Sequence, residues 1–186
     1  MKKLSIVVHS GFGHTLYAAG KVCEGVKNKG IDCSLVDLAQ DKVDFDLLQQ
    51  SQTLIFGSPT YMGNVSSVFK KFMEETSGIW QKSLWLNKLA AGFTVSSSPS
   101  GDKLATIQTM MVFAMQHAMI WAGYHRHNES LIGVKADEAR NFLGSFCGLM
   151  LQASSTSPEK SFSPGDLHSA VDFGERIAEL THNITL

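Results

Sequence analysis

Short aliphatic runs alternate with segments of helical spacing along this chain, and that alternation constrains its fold more than any other feature. Leu4–Val8 places Ile6, Val7 and Val8 in succession, as in a strand buried on both faces. From Thr15 the period changes. Leu16, Ala19, Cys23 and Val26 recur three and four apart, and Gly30 ends the helix they predict. Ile31–Leu38 reads as a second strand, Asp41–Gln50 as a short helix or loop, and Thr53–Gly57 as a third strand. Val65, Val68, Phe69, Phe72, Met73 and Thr76 share one face of the next helix, with Asn64 as its expected cap. A fourth strand is predicted at Ala90–Val95. Asp102 is then expected to cap a helix striped by Leu104, Ile107, Met111, Ala114 and Ala118, with a fifth strand near Met119–Gly123. Ser163 and Pro164 signal the last helix, with Asp166 in its first turn and Leu167, Val171, Gly174, Ile177 and Ala178 facing inward.

This order predicts an α/β fold, a parallel sheet covered by helices on both faces. Residues 124–162 interrupt the pattern. Tyr124–Asn141 is polar, and Phe142–Ala153 is apolar and reads equally as strand, helix or lid. With 186 residues and no internal repeat or linker, residues 1–186 are expected to form a single domain carrying this excursion.

A net charge of −1 and a pI near 6.6 provide no basic field for nucleic acid or anionic lipid. The apolar run after Met1-Lys2-Lys3 is shorter than the ~7–15 residues of a secretory signal core, and nothing approaches the ~18 apolar residues of a membrane span. Cys23, Cys33 and Cys147 have no metal-like spacing, and their odd count suits a reducing cytoplasm. His125, His127 and His168 lack carboxylate or cysteine partners at ligand spacing, so no metal is expected.

In a parallel sheet of this kind, ligands bind beyond the carboxyl ends of the strands, where the loops after strands one, three and four converge. The first loop, Ser10-Gly11-Phe12-Gly13-His14-Thr15, joins a strand directly to a helix. Its small and hydroxyl residues leave helix N-terminal N–H groups free to hold an anion. A Walker loop would need a lysine after its glycines, and His14-Thr15 stands there. A dinucleotide fingerprint begins with Gly11-Phe12-Gly13 and finds Asp37 after strand two, but Leu16 occupies the third glycine position. A receiver domain would need acidic residues where His9-Ser10 and Ser58-Pro59 stand.

The motifs Ser10-x-x-Gly13-His14, Pro59-Thr60-x-x-Gly63-Asn64, Gly78-Ile79-Trp80 and His117-Ala118-Met119 occur in that order. Together they resemble the flavodoxin-like superfamily, and within it the WrbA-type NAD(P)H:quinone oxidoreductases, over roughly residues 1–125. The resemblance implies a flavodoxin-like three-layer sandwich with a five-stranded parallel sheet of order 2-1-3-4-5. It further implies bound FMN, reduction by NADH or NADPH, a quinone or similar acceptor, and a homodimer or homotetramer.

Carried onto this chain, the resemblance assigns Ser10, Gly11, Phe12, Gly13, His14 and Thr15 to the FMN phosphate. Pro59, Thr60, Tyr61, Met62, Gly63 and Asn64 fall to the isoalloxazine, and Ser96, Ser97, Ser98 and Gly101 to its other edge or the ribityl chain. Trp80 and His117 would border the substrate face, with His117 or Tyr61 as candidate proton donor. Met62 stands where WrbA-type proteins usually carry an aromatic residue. The connection between strands two and three is short where those proteins have a long insertion that contributes to their tetramer. Structural alternatives stand beside these roles: a plain capped turn at Ser10–Thr15, a proline turn at Pro59, an ordinary serine-rich loop at Ser96–Gly101, and packing positions for Trp80 and His117. The alternatives to a reductase are a non-enzymatic electron carrier and an FMN-binding regulatory protein without turnover.

Overall fold

The computed structural model describes residues 2–40 and 42–184. The expected helix start at Asp41, and Met1 of the basic N-terminal stretch, lie outside them.

The chain runs β1 (Lys3–Val8), α1 (His14–Asn28), β2 (Asp32–Asp37), α2 (Phe45–Gln50), β3 (Thr53–Pro59), α3 (Ser67–Glu75), α4 (Ser77–Gln81), β4 (Leu89–Ser96), α5 (Lys103–Gln116), β5 (Ile120–Trp121), β6 (Leu149–Gln152) and α6 (Pro164–Asn183). The sheet is parallel throughout, in the order β2-β1-β3-β4-β5, the order that the resemblance implies, with β6 attached to β4.

The attached strand explains the segment that the sequence pattern did not define. β5 pairs with Leu89 and Ala90 of β4, and β6 pairs with Phe93–Ser96 of the same strand. β3 occupies the other edge of β4 along Leu89–Val95. β5 and β6 therefore share one strand position, and residues 122–148 are inserted within it. Asn141 ties the insertion down: its N–H donates to Ser169 Oγ at 2.9 Å, and its Oδ1 accepts from Ser145 N at 2.9 Å. Arg126 and Arg140 both reach Asp172 of α6, and Arg140 also pairs with Glu129 at 2.6 Å. The consequence for the site is direct, because the chain re-enters at β6 and delivers residues 153–158 to the upper rim.

Strand alternation divides the core. Leu4, Ile6 and Val8 pack with Val22, Val26, Phe173 and Ile177 under α1 and α6. Val7, Leu54 and Phe56 pack with Phe69, Phe72, Trp85 and Phe113 under α3 and α5. On α6 the buried row centres on Ala170, Phe173, Gly174, Ile177 and Ala178, leaving the expected Leu167 and Val171 half-buried. α1 and α6 approach so closely that a Cβ at Gly174 would lie 2.1 Å from the Val22 carbonyl oxygen.

Three local expectations are corrected. Ser66, rather than Asn64, caps α3, and its hydroxyl accepts from Phe69 N at 3.2 Å. Asp102 precedes α5 in the left-handed region (φ 55°) and makes no side-chain cap. The inward face of α5 carries Lys103, Thr106, Ile107, Met110, Phe113 and Ala114, while Leu104 is exposed. That helix has no charged residue after Lys103, so its sequence has little polarity to mark a face. Ser66→Ala is expected to lower stability by about 1 kcal/mol in a urea melt, and Asn64→Ala by much less.

Candidate functional site

The rim at the carboxyl ends of β1, β3, β4 and β6 encloses a cleft of about 630 Å³. Ser10, Phe12, His14 and Thr15 line it from the first loop, Pro59 and Tyr61 from the second, and Ser96 and Ser97 from the third.

Gly13 is the N-cap of α1, and its φ of 87° is costly for any residue with a Cβ. No side chain caps this end among the described residues, so the first-turn N–H groups are available to an outside acceptor. Ser10 Oγ is buried at the cleft wall with no hydrogen-bond partner among the described residues. An orphaned hydroxyl beside free amides fits an anionic ligand, because each is a donor that lacks an acceptor, and a phosphate provides acceptors. His14 is held within the fold. Its Nε2 donates to the Thr156 carbonyl at 2.9 Å and ties the first loop to the segment after β6.

The second loop is a tight turn. Tyr61 N donates to Asn64 O at 2.9 Å and Asn64 N to Tyr61 O at 3.1 Å, with Met62 and Gly63 both at positive φ (48° and 78°). Positive φ at both central residues is the geometry of a type I′ turn. It thrusts the Met62 side chain fully into solvent at the rim. Thr60 points the other way, its hydroxyl within 2.8 Å of those of Thr94 and Thr106, so it braces the loop from beneath. Tyr61 packs edge-on to Phe12 with ring centroids 6.4 Å apart, and burial raises its pKa. Ser98 and Gly101 do not line the cleft. Gly101, at φ 53°, lets the third loop fold over Ser96.

The fourth wall was missed by sequence reasoning. Ala153, Ser154, Ser155, Thr156, Ser157 and Pro158 complete the lining, and Gln152 Nε2 donates to Ser97 O at 2.9 Å to join this wall to the third loop. The available signal was a run of hydroxyl residues of the same kind as Ser96–Ser98.

Two expected site residues lie elsewhere in this chain. α3 and α5 run away from the rim, so the residues that follow them sit at the amino ends of the strands. Ala118 O there accepts from Asn87 N, just before β4. His117 is 4% exposed, between Trp85 and Phe113, with Nε2 2.9 Å from Thr76 Oγ1. Burial lowers its pKa to about 4. Trp80, 57% exposed on α4, lies at the same end. Neither touches the cleft within one chain.

No group of three metal-ligating side chains occurs among the described residues, and no described helix is long and apolar enough to cross a membrane.

A doubly wound parallel sheet of order 2-1-3-4-5, with a cleft at the carboxyl ends of its strands, is a flavodoxin-like fold. The model of the NADPH-dependent FMN reductase family matches residues 9–127, and the chain belongs to that family. It is 36% identical to flavodoxin FldP of Pseudomonas aeruginosa over 97% of each chain. It is 26% identical to an NAD(P)H dehydrogenase (quinone) of Archaeoglobus fulgidus, over 99% of this chain and 100% of that one. Among solved structures it superposes on a flavodoxin, WrbA-like protein from Agrobacterium tumefaciens with a TM-score of 0.76, at 31% identity and full coverage of both chains.

Proposed function

We propose that the cleft holds FMN and that the chain passes reducing equivalents from NADH or NADPH through it to a quinone or similar acceptor. The observation that carries this reading is the uncapped N-terminus of α1 beside the orphaned Ser10 hydroxyl, on the wall of a cleft large enough for a flavin. Bound FMN would supply the two-electron redox chemistry. The chain's own residues would bind and orient it. Ser10, Gly11, Gly13, His14 and Thr15, with the Ser154–Pro158 wall, would surround the phosphate. Pro59 and Tyr61 would flank one side of the ring, with Phe12, Met62, Gly63 and Asn64 at its rim. Ser96 and Ser97 would face its other edge, supported from behind by Ser98 and Gly101.

We take Tyr61 as the candidate proton donor for quinone reduction, because it lines the cleft and carries a phenol that is protonated at neutral pH. His117 and Trp80 are not assigned a role in the cleft of their own chain. We assign the chain to a reducing cytoplasm, consistent with its three free cysteines. We further assign it to a homodimer or homotetramer, supported by the exposed, uncharged side of α5 at Leu104, Val112 and Met115.

A second reading, that of an electron carrier, is favoured by the likeness to flavodoxin FldP. The near-neutral charge opposes it, because a carrier docks to its partners through a strong complementary field. Steady-state oxidation of NADH and NADPH with benzoquinone separates the two. Turnover with either nicotinamide supports the reductase. FMN retained through desalting without turnover supports the carrier or a regulatory protein, and no FMN uptake overturns all three.

A further inference from the structure

Lys103 opens α5 with its side chain fully buried, a costly position for an ammonium group. Its Nζ donates to the carbonyls of Ser98 and Pro99, the latter at 3.2 Å. These carbonyls belong to the outer part of the loop whose inner residues, Ser96 and Ser97, line the cleft. Asp166 of α6 faces the lysine across the ends of β4 and β6, and its carboxylate accepts from Gln152 N at 3.2 Å. No lysine or arginine lines the cleft among the described residues. Lys103 is therefore a cation placed directly behind a wall that has none in front. Burial brings its pKa down to about 8, which leaves it mostly protonated at neutral pH.

A hydride carries one proton and two electrons, so its transfer from a nicotinamide adds one negative charge to a flavin and leaves the nicotinamide oxidised. A fixed positive charge behind the ring's edge favours that product over the neutral reactant, and the dry interior keeps the interaction strong. We propose that Lys103 is a positioning residue for electron transfer, whose buried ammonium behind the Ser96–Gly101 wall makes FMN in this cleft easier to reduce. The proposal rests on the reading that the cleft holds FMN. It deepens that reading, because an easily reduced flavin suits a nicotinamide-dependent reductase better than a low-potential carrier.

The test is an anaerobic redox titration of the FMN-loaded protein at pH 7, with dissociation constants for oxidised and reduced FMN. Wild type is compared with Lys103→Met, which removes charge and donor, and Lys103→Gln, which keeps a donor for the Ser98 carbonyl. Both variants are expected to lose at least tenfold of the preference for reduced over oxidised FMN, a fall of about 30 mV for a two-electron couple. Affinity for oxidised FMN should change less than threefold. A shift in Lys103→Met alone, with Lys103→Gln at the wild-type potential, overturns the proposal and leaves Lys103 a brace for the loop. Unshifted potentials in all variants overturn it as well. Failure of the wild type to take up FMN overturns the functional reading itself, and normal uptake with unshifted variants overturns this proposal alone.

Discussion

Ser10→Ala is expected to weaken FMN binding by about tenfold to a hundredfold, while the FMN-free protein stays as stable as before or becomes slightly more stable. The two effects have one cause. Ser10 Oγ is buried without a partner, and an unsatisfied buried hydroxyl costs about 1–3 kcal/mol. Alanine removes that cost from the FMN-free fold. In the complex, the same hydroxyl would donate to a charged phosphate oxygen, a bond of about 1.5–3 kcal/mol, which corresponds to the expected loss of affinity. Fluorescence titration with FMN and urea melts of the FMN-free protein read the two sides separately. Ser97→Ala is the comparison at an exposed hydroxyl in the same cleft, and its effect should be several-fold at most. Unchanged FMN affinity in Ser10→Ala would remove this hydroxyl from the phosphate site.

The sequence carries the proposed phosphate loop clearly because only the five residues His9–Gly13 separate strand from helix there. The hydrophobic period changes at Thr15, and Gly13 is the residue that the turn requires. The same logic recovers the alternation of strands and helices and the cap at Ser163, whose hydroxyl accepts from Asp166 N at 3.0 Å, whereas the strand order is implied by the family resemblance. It fails where a strand is divided. The four residues of β6 are separated from β5 by an insertion longer than most helices of this fold, so nothing local marks them as the second half of one strand. The Ser154–Pro158 wall is lost with them, because a loop joins a site only once its strand is placed.

His117 shows a different limit. A motif carries residue identity along the chain, whereas its position relative to a cleft depends on which end of the helix it occupies. At the end of α5 remote from the rim, His117 is packed against Trp85 and Phe113. Lys103, at the near end of the same helix, belongs to the cleft's supporting structure although its sequence context gave no sign of it.

His117 should also leave a signature in the pH dependence of stability. Thr76 Oγ1 donates its one hydrogen to Met73 O at 2.7 Å, so it accepts from His117 Nε2–H and fixes the neutral ring. Nδ1 is then buried without a partner, and protonating it would place a charged N–H where no acceptor waits. Burial accordingly lowers the pKa from 6.5 to about 4. Between these values the unfolded chain binds the proton and the folded chain does not, so stability falls as pH drops from 6.5 toward 4. The loss is about 3 kcal/mol, at ~1.4 kcal/mol for each pKa unit.

Asp166 acts in the opposite sense over nearly the same range. Burial raises its pKa from 3.8 to about 6, so the folded chain takes up the proton first and gains stability as pH falls through that interval, by about 3 kcal/mol. In the wild type the two contributions largely cancel, and acid loss comes mainly from carboxylates held low by arginines, such as Asp172 and Glu129. Each variant should expose the partner that remains. Urea melts at pH 7 and pH 4.5 are expected to show His117→Gln gaining stability relative to wild type on acidification, and Asp166→Asn losing it, by about 2–3 kcal/mol each. A His117→Gln curve parallel to that of wild type would mean that the ring titrates at its ordinary pKa and is solvated, and would reopen its availability to chemistry at neutral pH.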